Sequence, residues 1–125
     1  MPTVITRPPN HLVLLRDRDG AECPTFERGS AIAGTPACIA IGTLVDADGP
    51  TTVHLIEADG ADAPPADLTL GYTGALRVPS RELVVTNVSL ETLAALPVRA
   101  AEVTVEVWTN HVSEPDEILI KVRAT

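Results

Sequence analysis

The sequence predicts an all-β fold, a single-domain antiparallel β-sandwich of about seven or eight strands with one short helical turn. The chain has 125 residues, of which 45% are hydrophobic, so residues 1–125 suffice for one domain with its own core. It contains one Phe, one Tyr and one Trp, which leaves mainly Val, Ile, Leu and Ala to fill that core, and β-branched residues favour strands. Alternating apolar and polar residues recur between breaks of Gly, Pro and Asp, which is the pattern of half-buried strands.

The first strands follow from the alternation in the N-terminal half. "HLVLLR" (11–16) is the first secure strand, and an irregular stretch with Gly and Pro follows it. "ACIAIGTLV" (37–45) and "TTVHLIEA" (51–58) are later strands, and "DADGP" between them predicts a hairpin, because Asp-Gly supplies the backbone angles of a tight turn. "DGADAPPAD" (59–67) is a polar surface loop, which we interpret as a crossover between sheets.

The middle of the chain predicts further strands and the helical turn. "LTLGYTGALRVP" (68–79) is either one strand bent at Gly71 and Gly74 or two short strands, because Gly inside a strand marks a bulge. "ELVVTNV" (82–88) is the next strand. "SLETLAALP" (89–97) has leucines three residues apart between a serine N-cap and a proline stop, which predicts one or two helical turns.

Two strongly alternating segments predict a hairpin at the end of the chain. They are "AEVTVEVW" (101–108) and "EILIKVRA" (117–124). Their inward residues should face each other, Val103, Val105 and Val107 against Ile118, Ile120 and Val122. The pattern does not contain the strand order, so a small barrel remains an alternative to the sandwich.

The tetrad acid-x-Asp-Gly occurs three times, ending at Gly20, Gly49 and Gly60, and is compatible with a calcium loop or a turn. A helix–loop–helix calcium site with Gly at position 6 needs acids at positions 1 and 12. In all three tetrads position 1 falls on Leu, and position 12 falls on Phe, Leu or Ala. We therefore predict turns and no metal site.

The sequence carries no catalytic or cofactor signature. His11, His54 and His111 lie on separate predicted elements and lack metal-ligand spacing. No nucleophile elbow, zinc-protease motif or phosphate-binding loop occurs. We predict no enzyme activity, no cofactor and no bound metal.

Cys23 and Cys38 are expected to be reduced and buried. No signal peptide is recognisable, and no segment approaches the roughly 20 apolar residues of a membrane span, so the cytoplasm is the expected compartment. Cytosolic disulfides are uncommon, and these two cysteines do not form a C-x-x-C pair.

The charge distribution indicates a protein partner. The net charge is -8, whereas a nucleic-acid binder needs a basic stripe, so nucleic acid is not expected as a ligand. Residues 46–67 contain six acids and residues 102–117 contain five, and neither segment contains Lys or Arg. Such faces can attract a basic protein, for example a nuclease whose substrate groove is lined by Lys and Arg. The alternative is that these acids only solvate the surface.

Trp108 makes the second acidic segment the candidate contact surface. It shares the outward parity of Glu102, Thr104 and Glu106, and Trp is enriched at binding hot spots. In the alternative interpretation its ring folds over the sheet edge and caps the core. The candidate partner-binding residues are Trp108, Asn110, His111, Glu114, Asp116 and Glu117, with Asp59 and Asp62 from the first acidic segment.

Four successive segments resemble the small β-sandwich proteins related to competence protein J. They are "IAIGTLVDADGPTTVHLIEA", "ALRVPSRELVVTNV", "LPVRAAEVTVEVW" and "EILIKV", within residues 37–122. Competence protein J inhibits a competence nuclease, so the resemblance implies a β-sandwich that binds a protein without catalysing a reaction.

We therefore expect a non-catalytic protein-binding module, most specifically an immunity-type inhibitor of a basic nuclease or toxin. The alternative, from another class, is a structural or assembly subunit that forms homo-oligomers through its sheet edges. A neighbouring toxin gene favours the first function, and a neighbouring cluster for a shell or particle favours the second.

Overall fold

The structure is a computed structural model that describes residues 3–7, 12–20, 32–44, 48–57, 67–89, 91–111 and 114–124. Within these ranges the chain forms ten strands and no α-helix. The strands are β1 (Thr3–Thr6), β2 (Leu12–Asp17), β3 (Ile32–Gly34), β4 (Cys38–Gly42), β5 (Thr51–Glu57), β6 (Thr69–Arg77), β7 (Glu82–Asn87), β8 (Thr92–Pro97), β9 (Glu102–Thr109) and β10 (Glu117–Ala124).

The strands form two five-stranded sheets. Sheet A has the order β1, β5, β10, β9, β6, and sheet B has the order β3, β4, β2, β7, β8. Every pairing is antiparallel except that of β5 with β10, which is parallel. The predicted all-β sandwich is confirmed, with ten strands in place of about seven or eight. No helix in the described ranges is long and apolar enough to cross a membrane.

The core lies between the sheets and is aliphatic, as the scarcity of aromatic residues predicts. The predicted hairpin of β9 and β10 is confirmed, with Val105 opposite Val122 and Val107 opposite Ile120. The buried core residues are Val13, Leu15, Ile39, Ile41, Val53, Leu55, Leu76, Val78, Leu83, Val85, Val98, Val103, Val105, Val107, Ile118, Ile120 and Val122.

The segment 89–97 is not the predicted helical turn, because residues Thr92–Pro97 form strand β8 at the edge of sheet B. The register shifts as β8 pairs with β7, so that Leu93 lies between the paired residues Thr92 and Ala94. This irregularity allows Leu93, Ala94 and Leu96 all to pack against the core. The spacing of three residues between leucines, which by itself indicates a helix, therefore arises here from a bulged strand.

The predicted hairpin of β4 and β5 is wrong, because β4 belongs to sheet B and β5 to sheet A. Gly49 does have the positive φ of a turn residue, 143°. Asp-Gly thus specifies a local change of direction but not which sheet the next strand joins. The interpretation of 59–67 as a crossover between sheets is also wrong, because the strands before and after it, β5 and β6, lie in the same sheet. Residues 59–66 themselves lie outside the described ranges.

Strand β6 is one continuous strand with an irregularity between Leu70 and Tyr72, so the first of the two interpretations of 68–79 is confirmed. Tyr72 packs against the core between the edges of the two sheets. A side chain at Gly34 of β3 would collide with the Tyr72 ring and hydroxyl, and one at Gly74 would lie 2.7 Å from the same hydroxyl. Glycine at both positions leaves the space that the ring occupies.

Cys38 is disulfide-bonded, so the expectation of reduced cysteines is wrong. It lies on the outer face of sheet B in a small buried cluster with Leu14 and Ala40. Its parity is opposite to that of Ile39, as the alternation predicts, but spacing along the chain does not reveal what approaches that face. The other cysteine, Cys23, lies outside the described residues.

Asp17, at the end of β2, forms hydrogen bonds to two turns, its own at Asp19 and the one at Ser80 before β7. Its carboxylate accepts hydrogen bonds from Ser80 Oγ at 2.6 Å, from Ser80 N at 3.0 Å and from Asp19 N at 3.0 Å. Burial alone would raise the pKa of Asp17, but these hydrogen bonds and the nearby Arg18 charge outweigh it and lower the pKa below its ordinary value. Asp17 is therefore a structural carboxylate.

Candidate functional site

Six exposed acids of the described residues share one end of the sandwich. Strand β9 finishes there, and its last residue, Thr109, is the register partner of Ile118 in β10 and of Thr69 in β6, whose strands begin there. The acids lie in the turns around these strand ends, in the turn from β7 to β8 and at the first residue of β10. We call this the acidic end, defined by Asp48, Asp67, Glu91, Glu114, Asp116 and Glu117.

Among the residues that the structure describes, five exposed arginines lie at the opposite end. We call it the arginine end, defined by Arg18, Arg77, Arg81, Arg99 and Arg123. Acids there are partly neutralised, because Arg18 approaches Asp19 at 3.5 Å and Glu82 at 3.8 Å, and Arg99 approaches Glu57 at 3.9 Å.

The acidic end has far less cationic charge around its carboxylates. Among the described residues, Arg7 is the arginine at this end. It follows β1, whose last residue, Thr6, is the register partner of Thr51 at the start of β5. His54 Nε2 lies 4.0 Å from Glu117 Oε1 there, and this pair is charged only when the histidine is protonated. The charge of the described residues is thus separated along the strands, which makes the acidic end their electrostatically distinct surface.

The loop between β9 and β10 is held by Asn110. Its side-chain oxygen accepts hydrogen bonds from the backbone N–H of Asp116 and of Glu117, each at 3.2 Å. Its side-chain amide donates to Asp116 Oδ1 at 2.5 Å. One asparagine therefore fixes the start of β10 relative to the end of β9.

Further contacts dock this loop on its neighbours. Leu44 N donates to Pro115 O at 2.9 Å, and Thr52 N donates to Asp116 O at 2.8 Å. On the other side of the loop, Glu114 N donates to His111 Nδ1 at 3.0 Å. The backbone that carries Glu114, Asp116 and Glu117 is therefore held by hydrogen bonds to residues on both sides of it.

Trp108 lies on the outer face of sheet A, as its parity predicts. Its indole Nε1 donates to Glu106 Oε1 at 3.0 Å. Its register partners are Leu119 in β10 and Leu70 in β6, whose side chains share that face. The ring is half-buried and packs on the outside of the sheet, so the alternative in which it caps the core is not observed.

The predicted contact residues that the structure describes fall into three groups. Trp108 belongs to the sheet face, whereas Glu114, Asp116 and Glu117 are exposed at the acidic end. Asn110 and His111 support the loop backbone. Asp59 and Asp62 lie outside the described residues.

Sequence reasoning did not single out three residues that the structure adds. Glu91 joins the acidic end through the turn after β7, where its N–H donates to Asn87 Oδ1 at 3.1 Å. Leu70 and Leu119 become neighbours of Trp108 only through the strand registers. Their outward parity was a signal in the sequence, but parity alone does not identify neighbours on other strands.

The described part of the chain contains no group of three or more His, Cys, Asp and Glu side chains arranged to hold a metal ion. Asp17, the acid with a lowered pKa, lies at the arginine end and is occupied by hydrogen bonds from backbone and Ser80. The acidic end can therefore offer charge and hydrogen-bond acceptors to a partner.

Comparison with known proteins identifies a shared fold. No protein-family model matches the sequence. No curated protein matches it either. A solved structure does: the crystal structure of ComJ from Bacillus subtilis, an inhibitor of the DNA-degrading activity of NucA, has a TM-score of 0.76 and 9% sequence identity, over 100% of this chain and 96% of that one. The chain therefore has the fold of ComJ, which confirms at the level of fold the resemblance stated from its sequence.

Proposed function

We propose that this protein is a non-catalytic, immunity-type inhibitor that binds a DNA-degrading nuclease through its acidic end. The fold shared with ComJ supports an inhibitor of this class. The observation that carries the proposal is the separation of charge among the described residues, with six exposed acids at one end of the sandwich and five exposed arginines at the other.

The physical basis is complementarity to a surface that binds DNA. A nuclease contacts phosphates with Lys and Arg, and those side chains form a positive groove. Carboxylates presented at the acidic end can occupy that groove in place of phosphates and exclude the substrate. Because Asn110 holds the backbone of Asp116 and Glu117, these two residues lose little conformational entropy on binding.

A DNA-cleavage assay tests the proposal. Plasmid DNA is incubated with a DNA-degrading nuclease of the same organism that co-purifies with this protein, with and without an equimolar amount of this protein. We expect cleavage to stop at a one-to-one ratio and the pair to co-elute in size-exclusion chromatography. Undiminished cleavage with excess protein would reject the inhibitor function.

A second candidate function, a homo-oligomeric structural subunit, is favoured by the edge of sheet A. Strand β6 is nine residues long and pairs only with β9 among the described strands. Leu70 on this edge strand is 42% exposed, and long edges without protection are pairing sites for other chains. Light scattering distinguishes the two functions: a stable oligomer of this chain alone, together with uninhibited nuclease, supports the subunit.

A further inference from the structure

A short apolar strip crosses the outer face of sheet A beside the acidic end. Leu70, Trp108 and Leu119 are consecutive register partners on β6, β9 and β10. Leu70 is 42% exposed, and Trp108 and Leu119 are each half-buried, so part of every side chain remains accessible. Acidic-end residues border the strip, since Glu117 precedes Leu119 by two positions on the same face.

Glu106 places a negative charge at the edge of the Trp108 ring. One carboxylate oxygen of Glu106 accepts the indole N–H at 3.0 Å. The register partners of Glu106 are Lys121 in β10 and Thr73 in β6. Lys121 is nevertheless not within ion-pair distance of Glu106, and no other Lys or Arg of the described residues is. Within the described residues the Glu106 carboxylate therefore accepts the indole N–H and forms no ion pair.

We propose that this strip with Glu106 receives an arginine side chain of the partner protein; this inference rests on the proposed function and specifies its partner chemistry. A guanidinium stacks on an indole face more favourably than an ammonium, because it is planar and weakly hydrated. Its N–H groups can pair with the Glu106 carboxylate. Its aliphatic stem can lie on Leu70 or Leu119. Lysine also offers a stem, N–H donors and cation–π attraction, but its compact, strongly hydrated ammonium neither stacks as a plane on the indole nor pairs with the carboxylate through two parallel hydrogen bonds, so arginine fits the site better.

The single tryptophan of the chain makes the site directly observable, because all indole signals come from Trp108. Hexa-arginine, hexalysine and hexacitrulline peptides are titrated into the protein at one fixed ionic strength. Trp108 fluorescence and the indole N–H resonance are recorded. We expect saturable changes with hexa-arginine, an affinity for hexalysine about two- to fivefold weaker, and no response to the uncharged hexacitrulline.

A matched pair of variants separates the site from general attraction. Glu106→Gln and Glu102→Gln each remove one negative charge from the outward face of β9, but only Glu106 contacts the indole. We expect Glu106→Gln to weaken hexa-arginine binding at least about twofold more than Glu102→Gln does. Equal affinities for arginine and lysine peptides, or equal effects of the two variants, would overturn the inference.

The peptide titration and the nuclease assay fail independently. Arginine-selective binding at Trp108 with no inhibition of the nuclease would contradict the proposed inhibitor function but support the arginine site. Inhibition of the nuclease without arginine selectivity at Trp108 would contradict the arginine site but support the proposed inhibitor function.

Discussion

Asn110 and Asp116 hold the two ends of the β9–β10 loop together with a side-chain hydrogen bond of 2.5 Å and a backbone-to-side-chain hydrogen bond of 3.2 Å. The same asparagine oxygen also accepts the N–H of Glu117, the first residue of β10. Asp116 is therefore committed to the loop itself, whereas the side chain of Glu114 is exposed. Among the acids of this loop, Glu114 is the better position for changing surface charge without altering the backbone.

Replacing Asn110 with Ala should loosen this loop. The backbone N–H groups of Asp116 and Glu117 lose their acceptor, at a cost of about 1 kcal/mol in the free energy of unfolding because the site is exposed to water. Hydrogen exchange of these two amides should accelerate, while the amides of β2 keep their protection. Unchanged exchange at Asp116 and Glu117 would show that Asn110 does not order the loop.

The Asp17 carboxylate should make stability depend on pH. Folding lowers its pKa below 3.8, so its contribution is present above that pH and is lost as the pH falls through the folded value. Asp17→Asn should therefore lower the free energy of unfolding by about 1–3 kcal/mol at neutral pH, and the difference from the parent should shrink in acid. Asp19→Asn is the control, because that side chain is 70% exposed. A deficit independent of pH would contradict the ionised state of Asp17.

Alkylation and mass spectrometry test the disulfide at Cys38. We expect denatured, unreduced protein to take up no iodoacetamide and reduced protein to take up two equivalents, since the chain has two cysteines. Reduction should lower the free energy of unfolding by about 2–4 kcal/mol. Because disulfides persist mainly in oxidising compartments, the state found in native cells also tests the expectation of a cytoplasmic protein. Full alkylation without reduction would contradict the disulfide.

Gly34→Ala should disturb the side of the sandwich that Tyr72 closes. The added methyl group collides with the Tyr72 ring, which packs against the core, and accommodating such a clash costs about 1–3 kcal/mol. Gly71→Ala is the comparison, because its nearest neighbour is the flexible end of Ile32 at 3.1 Å. In urea unfolding, the free energy of unfolding of Gly34→Ala should be well below that of Gly71→Ala. The reverse order would show that the Tyr72 ring moves freely.

The sequence indicated which residues face the core more reliably than which strands are neighbours. Alternation identified the β9–β10 hairpin with its opposed Val and Ile residues because side-chain parity is a local property. The sheet membership of β4 and β5, and the parallel pairing of β5 with β10, depend on contacts between distant segments. Strand β1 was missed because it is four residues long, and β8 because its bulge imitates a helical spacing.

The candidate site was predicted in part for the same reason. The outward parity of Trp108 and the acids of the β9–β10 loop were apparent from the sequence. The concentration of acids from four separate connections at one end, and the opposing arginines, required the topology. Leu70 and Leu119 required the registers across β9.

A comparison of two charge-reversal variants tests the central claim, inhibition through the acidic end, most directly. The first is Glu114→Lys with Asp67→Lys at the acidic end; the second is Glu57→Lys with Glu102→Lys at the other end, which changes the net charge equally. The association rate with the nuclease is measured by surface plasmon resonance at low and high salt. The acidic-end variant should associate at least about tenfold more slowly at low salt, with the difference diminishing as salt screens the field, and the second variant should remain within about twofold of the parent. Equal rates for the two variants, or association of the parent that does not depend on salt, would contradict a role for the acidic end.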